Sequence, residues 1–156
     1  AFHLSYKLET DVLEIDVPGA MLPLYSLDAP PDSRERLLVT LRNALVLGAN
    51  IILQTQEGEI TGFEREVARD AYFQQQIVLY DDVPGGAGYV ERLSRLLPEA
   101  AATVLERLEQ CNCVDSCYRC LRSYYNQWEH DLLDKRLVID TLRQLAAASQ
   151  MASSSF

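Results

Sequence analysis

The chain has 156 residues, 48% of them hydrophobic, and a formal net charge of -9. A chain of that length buries a core without covalent staples, which excludes a disulfide-dependent mini-protein, and a surplus of carboxylates argues against broad nucleic-acid binding, whose affinity comes chiefly from neutralised phosphates. No run approaches the roughly 20 apolar residues that span a bilayer, and no basic leader precedes an apolar segment, so we expect a soluble, cytoplasmic protein with no membrane partner.

The charge is unevenly placed. Residues 1–110 carry 9 Lys+Arg against 18 Asp+Glu, residues 111–143 carry five of each, and the last 13 carry none. Any nucleic-acid contact is therefore expected from the C-terminal third. The chain opens on Ala1-Phe2-His3-Leu4, without an initiator Met and already in a strand-like pattern, so it is expected to be a piece of a longer polypeptide.

In chain order, alternation around Tyr6, Leu8, Leu13 and Ile15 predicts one or two strands over residues 3–15. Residues 19–31 are proline-rich and predict a loop. Asp32 and Ser33 offer caps for a helix with Leu37, Leu38, Leu41, Leu45 and Val46 on its apolar face, ending near Gly48. Residues 57–63 and 74–80 read as strands of a small sheet. Two helices are expected over 88–97 and 98–108, and Asp134 is placed to cap a last helix carrying Leu137, Val138, Leu142 and Leu145. The fold class is α+β or α/β: one domain over 1–150, without repeats or linkers, and a flexible Ser-rich tail over 151–156.

Three stretches carry chemistry. The first is CNCVDSCYRC, residues 111–120, which holds every cysteine of the chain. Cys111 and Cys113 are too close for a comfortable two-disulfide framework, whereas Cys111, Cys113, Cys117 and Cys120 suit the four thiolates of tetrahedral Zn²⁺. The Cys117-x-x-Cys120 half is a regular knuckle and Cys111-x-Cys113 a tighter one, so an iron-sulfur cluster remains a second reading. Four thiolates around Zn²⁺ leave about -2, with Arg119, Arg122 and backbone N–H groups as the expected offset. A closed sulfur shell points to a structural metal rather than a catalytic one. The segment 111–130 has few apolar groups, so its order is expected to depend on the metal.

The second is LYDDVPGGAGYVERL, residues 79–93. Its Pro84, Gly85, Gly86 and Gly88 read as a tight strand-to-helix turn; no Gly-Lys-Ser/Thr is present, and Asp81 and Asp82 would repel a polyanion. An autonomous hydrolase using those two aspartates is the weakest of three functional readings, because adjacent strand residues point to opposite sides. The third is RCLRSYYNQWEHDLLDKR, residues 119–136. Arg119, Arg122, Tyr124, Tyr125 and Trp128 are candidate contacts for single-stranded nucleic acid or a partner, with packing around the metal lobe as the alternative. His130 is expected at the surface or at a helix cap rather than as a ligand.

Taken with FHLSYKLETDVLEI near the start, LYDDVPGGAGYVERL and CNCVDSCYRCLRSYYNQWEHDLLDKRLVIDTL resemble, in order and spacing, the MrfA-type zinc-binding domain over residues 3–145. That resemblance implies zinc on the four cysteines and a place at the C-terminus of DEAD/DEAH-type ATP-dependent DNA helicases linked to repair, or in antiphage-defence proteins. It implies no catalytic residue here, since ATP-binding motifs belong to other domains. The expected partners are helicase domains of the parent chain or of a partner subunit, and DNA through the parent. A partner-binding module of a defence complex without its own ATPase is the alternative.

Overall fold

The computed structural model describes residues 4–9, 11–18 and 32–154, and the side chains up to residue 148. The loop expected over 19–31 and residues 155 and 156 of the expected tail lie outside the described residues. Four strands, β1 (Ser5–Glu9), β2 (Val12–Val17), β3 (Ile60–Ala68) and β4 (Phe73–Asp81), form one antiparallel sheet in the order β1-β2-β4-β3. The helices are α1 (Ser33–Leu53), α2 (Tyr89–Gln110) and α3 (Ile139–Ser154), with 3-10 segments at Tyr124–Leu132 and Lys135–Leu137. The class is α+β, with the cysteines near the C-terminus as the sequence suggested.

Period-2 alternation decides which face of the sheet is buried. Leu13, Ile15 and Val17 of β2 and Ile77 and Leu79 of β4 point to one side and join a single core with α1 and α2. On the opposite side Glu14 pairs with Arg65 at 3.2 Å and Asp16 accepts from Gln76 Nε2 at 2.6 Å. Helices α1 and α2 pack on each other over the apolar face, and α3 packs on α2. Helix α1 is long and apolar enough to cross a membrane by length and composition, but Leu41, Ala44, Leu45 and Ala49 are fully buried against the rest of the core. Its apolarity is that of a central core helix.

Two helix boundaries differ from expectation. Helix α1 runs past Gly48 to Leu53, because Gly48 marks a close helix crossing and not a stop: a Cβ there would lie 2.4 Å from the carbonyl oxygen of Ala100. The two helices expected on either side of Pro98 are one, α2. Proline forfeits one intrahelical hydrogen bond, but Leu97, Pro98 and Ala101 are all buried, and packing of that face holds the helix together across the break. Asp134 caps the 3-10 turn Lys135–Leu137 rather than α3 itself, accepting from Arg136 N at 3.0 Å.

Candidate metal centre

The cysteines lie between the end of α2 and the 3-10 segment Tyr124–Leu132. Helix α2 stops at Cys111, whose extended backbone (φ -81°, ψ 131°) turns the chain away from the helix axis. A short turn then folds the second pair back: Cys120 N and Arg122 N both donate to the Cys117 carbonyl, at 3.1 and 2.9 Å. The result brings all four Sγ atoms within 4.8 Å of one another. Neighbouring sulfurs are separated by 3.6 Å (Cys111–Cys113), 3.4 Å (Cys111–Cys117), 3.7 Å (Cys113–Cys120) and 3.8 Å (Cys117–Cys120).

Those separations decide between the chemistries. Each is far beyond a disulfide bond of about 2.05 Å, and the four cysteines are free. A tetrahedron with Zn–S bonds of about 2.3 Å has edges of about 3.8 Å. The sulfurs converge on a point with room for one ion, whereas a multi-iron cluster needs an inorganic core between its ligands. The donor set therefore fits a single tetrahedral metal with a closed shell.

Without metal the thiols are unequal. A backbone hydrogen bond at Cys113, with a contribution from Cys117, brings the Cys111 thiol down to about 7. Burial raises Cys113 and pushes Cys120 up to about 12. Binding a metal through all four therefore displaces protons.

The surroundings of the sulfurs include a cation that the sequence did not single out. Lys135 donates from its buried ammonium to the Cys111 carbonyl at 2.5 Å and from its backbone N–H to the Asp115 carbonyl at 2.8 Å. The offsetting charge was expected from Arg119 and Arg122. Instead Arg122 Nε donates to Ser116 Oγ at 2.9 Å, and Arg119 faces a cleft beside the centre.

The lobe is also tied to the core by polar contacts invisible in the spacing. Arg42 of α1 bridges Glu64 of β3 and Glu129 of the lobe. Asn126 donates to Asn43 Oδ1 at 2.9 Å and to the Leu121 carbonyl at 2.7 Å. Thr40 Oγ1 donates to the Leu132 carbonyl at 3.2 Å and accepts from Asp134 N at 3.1 Å. His130 Nε2 lies 3.0 Å from the Ser123 carbonyl and 2.9 Å from Asn126 Oδ1. Two acceptors assign that nitrogen a proton, and the histidine a structural place.

The aromatic residues divide. Tyr125 and Tyr118 line the cleft with Arg119 and Arg122, and the Tyr125 ring rests on Gly58. Tyr124 and Trp128 stand outside it, exposed, with Trp128 84% accessible.

The glycine loop is closed by the protein itself. Asp81 Oδ2 accepts from Ala87 N and Tyr89 N at 2.9 and 3.0 Å, and Oδ1 from Val90 N at 2.9 Å. Gly85, Gly86 and Gly88, at φ 77°, 73° and 76°, make the left-handed turn that carries these N–H groups back to the strand end. The carboxylate thus occupies the position at the start of α2 where a phosphate would otherwise sit. Asp82 points elsewhere and lines the cleft.

With this geometry in view, the sequence profile of the MrfA Zn-binding domain matches residues 41–121. The chain belongs to the MrfA Zn-binding domain family. Membership and the four-sulfur cluster together make zinc its metal. Among curated relatives of this MrfA Zn-binding domain, Druantia protein DruE of Escherichia coli is 39% identical over 67 residues, which are 43% of this chain and 4% of DruE. Uncharacterized protein MJ1572.1 of Methanocaldococcus jannaschii is 33% identical over 89 residues, 56% of this chain and 80% of that protein. Two crystal structures of the DUF1998 helicase MrfA, one bound to DNA and one to DNA and AMPPNP, share the fold. Their TM-scores are 0.59 and 0.55 at 17% and 15% identity, covering 90% and 92% of this chain and 17% and 22% of theirs. The chain thus corresponds to a small part of DruE and of the helicase, and to most of MJ1572.1.

Proposed function

We propose that this domain is a non-catalytic, structural zinc module of an ATP-dependent DNA helicase-like protein acting in DNA repair or phage defence in the cytoplasm. Cys111, Cys113, Cys117 and Cys120 hold the ion. The observation that carries the reading is the set of four sulfurs at tetrahedral-edge separations, which fills the coordination shell and leaves no position for a reacting water. When bound, zinc supplies a cross-link between the end of α2 and the segment leading to Tyr124. Asp81, already engaged by three backbone N–H groups, is not free to act as a base, which argues against hydrolysis at the glycine loop.

The small share of the DNA-bound helicase and of DruE that the chain covers supports a role inside a larger assembly, with the motor in other domains or in a partner subunit. The likeness to DruE favours, as a second reading, a partner-binding module of a defence complex. Metal analysis of the purified chain should return about one zinc, lost in Cys117→Ser, and no ATP turnover. Iron in place of zinc, or measurable hydrolysis by the chain alone, would overturn the proposal. In the parent protein, upstream ATP-binding motifs support the helicase reading, and their absence supports the second.

A further inference from the structure

The chain has 23 acidic residues for 14 basic ones, so its cations have carboxylates to choose from. Arg42, Arg65, Arg69 and Arg143 each take one or more. Arg107, Arg119 and Arg122 form no ion pair among the described residues. These three line one cleft of about 260 Å³, between α1, the start of β3, the last turn of α2 and the zinc lobe. They come together only through the fold: Arg107 ends a helix, and the other two flank Cys120.

The cleft has two further properties. Tyr118 and Tyr125 form part of its wall, and both stay well exposed, at 71% and 64%. A Cβ at Gly58 would meet the Tyr125 ring at 2.9 Å, so the ring is seated on that backbone and presented to solvent at a set position. Glu57 and Asp82 also face the cleft, giving acceptors beside the guanidiniums. Three guanidiniums without an ion pair, of which Arg122 keeps one hydrogen bond to Ser116, together with two carboxylates and exposed aromatic rings suit a ligand with both phosphates and base edges.

We propose that this cleft binds a short segment of single-stranded nucleic acid, with phosphates on Arg107, Arg119 and Arg122 and a base stacked on Tyr125 or Tyr118. A duplex has no free base face to offer the rings, and its doubled charge is opposed more strongly by the chain's net charge of -9. The inference deepens the reading above and rests on it, because the zinc lobe builds one wall. Binding by the isolated chain is weak, since the net charge of -9 opposes it.

Titration of the zinc-loaded chain with a fluorescent oligothymidylate at low salt tests the idea. At about -0.7 per neutralised phosphate, three arginines give a log–log salt slope of about -2. Arg107→Ala should weaken binding and reduce that slope by about 0.7, and Arg92→Ala, an exposed arginine elsewhere on α2, should alter neither. Tyr125→Ala should lower affinity about tenfold while Tyr125→Phe retains it, since stacking uses the ring and not the hydroxyl. A zinc-loaded chain that ignores the strand, an equal loss in Arg92→Ala, or duplex binding as tight as single-strand binding would overturn the proposal. Failure of the zinc reading is separately visible, as a chain without metal before any strand is added.

Discussion

The ammonium of Lys135 lies 2.5 Å from the carbonyl oxygen of Cys111, across 24 residues of chain. It places a positive charge beside a centre that carries about -2 when four thiolates hold zinc. Lys135→Met keeps most of the packing and removes that charge. We expect zinc affinity to fall by about tenfold or more, read by competition with a chromogenic chelator, while the metal-free fold is little changed.

Removing the metal should not release the whole lobe. The sulfurs organise residues 111–122, but Asn126, Glu129 and Leu132 are held to α1 through Asn43, Arg42 and Thr40. Hydrogen exchange of Cys117→Ser, or of the wild type with chelator, should lose protection over 111–122 and retain it from Asn126 onward. Loss that spreads into β4 and α1 would mean that the zinc holds the entire domain.

Arg42 lies half-buried between two carboxylates, Glu64 and Glu129, that belong to the sheet and the lobe. Truncating it leaves both carboxylates without their cation, Glu129 keeping only the Asn43 amide at 3.4 Å. Arg42→Met should cost about 1–3 kcal/mol in denaturant unfolding, and the further changes Glu64→Gln and Glu129→Gln should recover part of it.

Asp81 fastens the start of α2 to the end of β4. Asp81→Ala strips three backbone N–H groups of their acceptor and should lower stability by about 1–3 kcal/mol. Thermal unfolding would check the size. Zinc content should be unchanged, because the centre sits at the other end of α2.

Asp134 supplies the pH dependence. Burial raises its pKa, but hydrogen bonds from the Arg136 side chain and backbone, with the charges of Arg136 and Arg36, outweigh burial and leave it below its ordinary 3.8. A carboxyl whose folded value is depressed stabilises the fold fully above the unfolded value. That contribution is lost as pH falls below about 3.8 and through the folded value. Asp134→Asn should therefore lower stability at neutral pH and flatten the acid limb of a stability profile measured with zinc saturating.

The metal centre was legible in the chain because its ligands are local: four thiols within ten residues can meet only at one point, and turn chemistry sets how. The helix and strand periods, the tight turn at Gly85 and Gly86, and the family resemblance are likewise short-range patterns, and they appear in the fold. Gly48 and Pro98 misled for the same reason. Local propensity marks both as breaks, but burial of α1 against α2 outweighs a lost hydrogen bond or a missing side chain. The contacts that attach the lobe were out of reach: Arg42 to Glu129, Asn43 to Asn126 and Lys135 to Cys111 span 87, 83 and 24 residues, and no spacing rule links residues so far apart. Only the packed fold selects which carboxylates neutralise which cations. It thereby also decides which arginines, Arg107, Arg119 and Arg122, are left facing a cleft with their charges unspent.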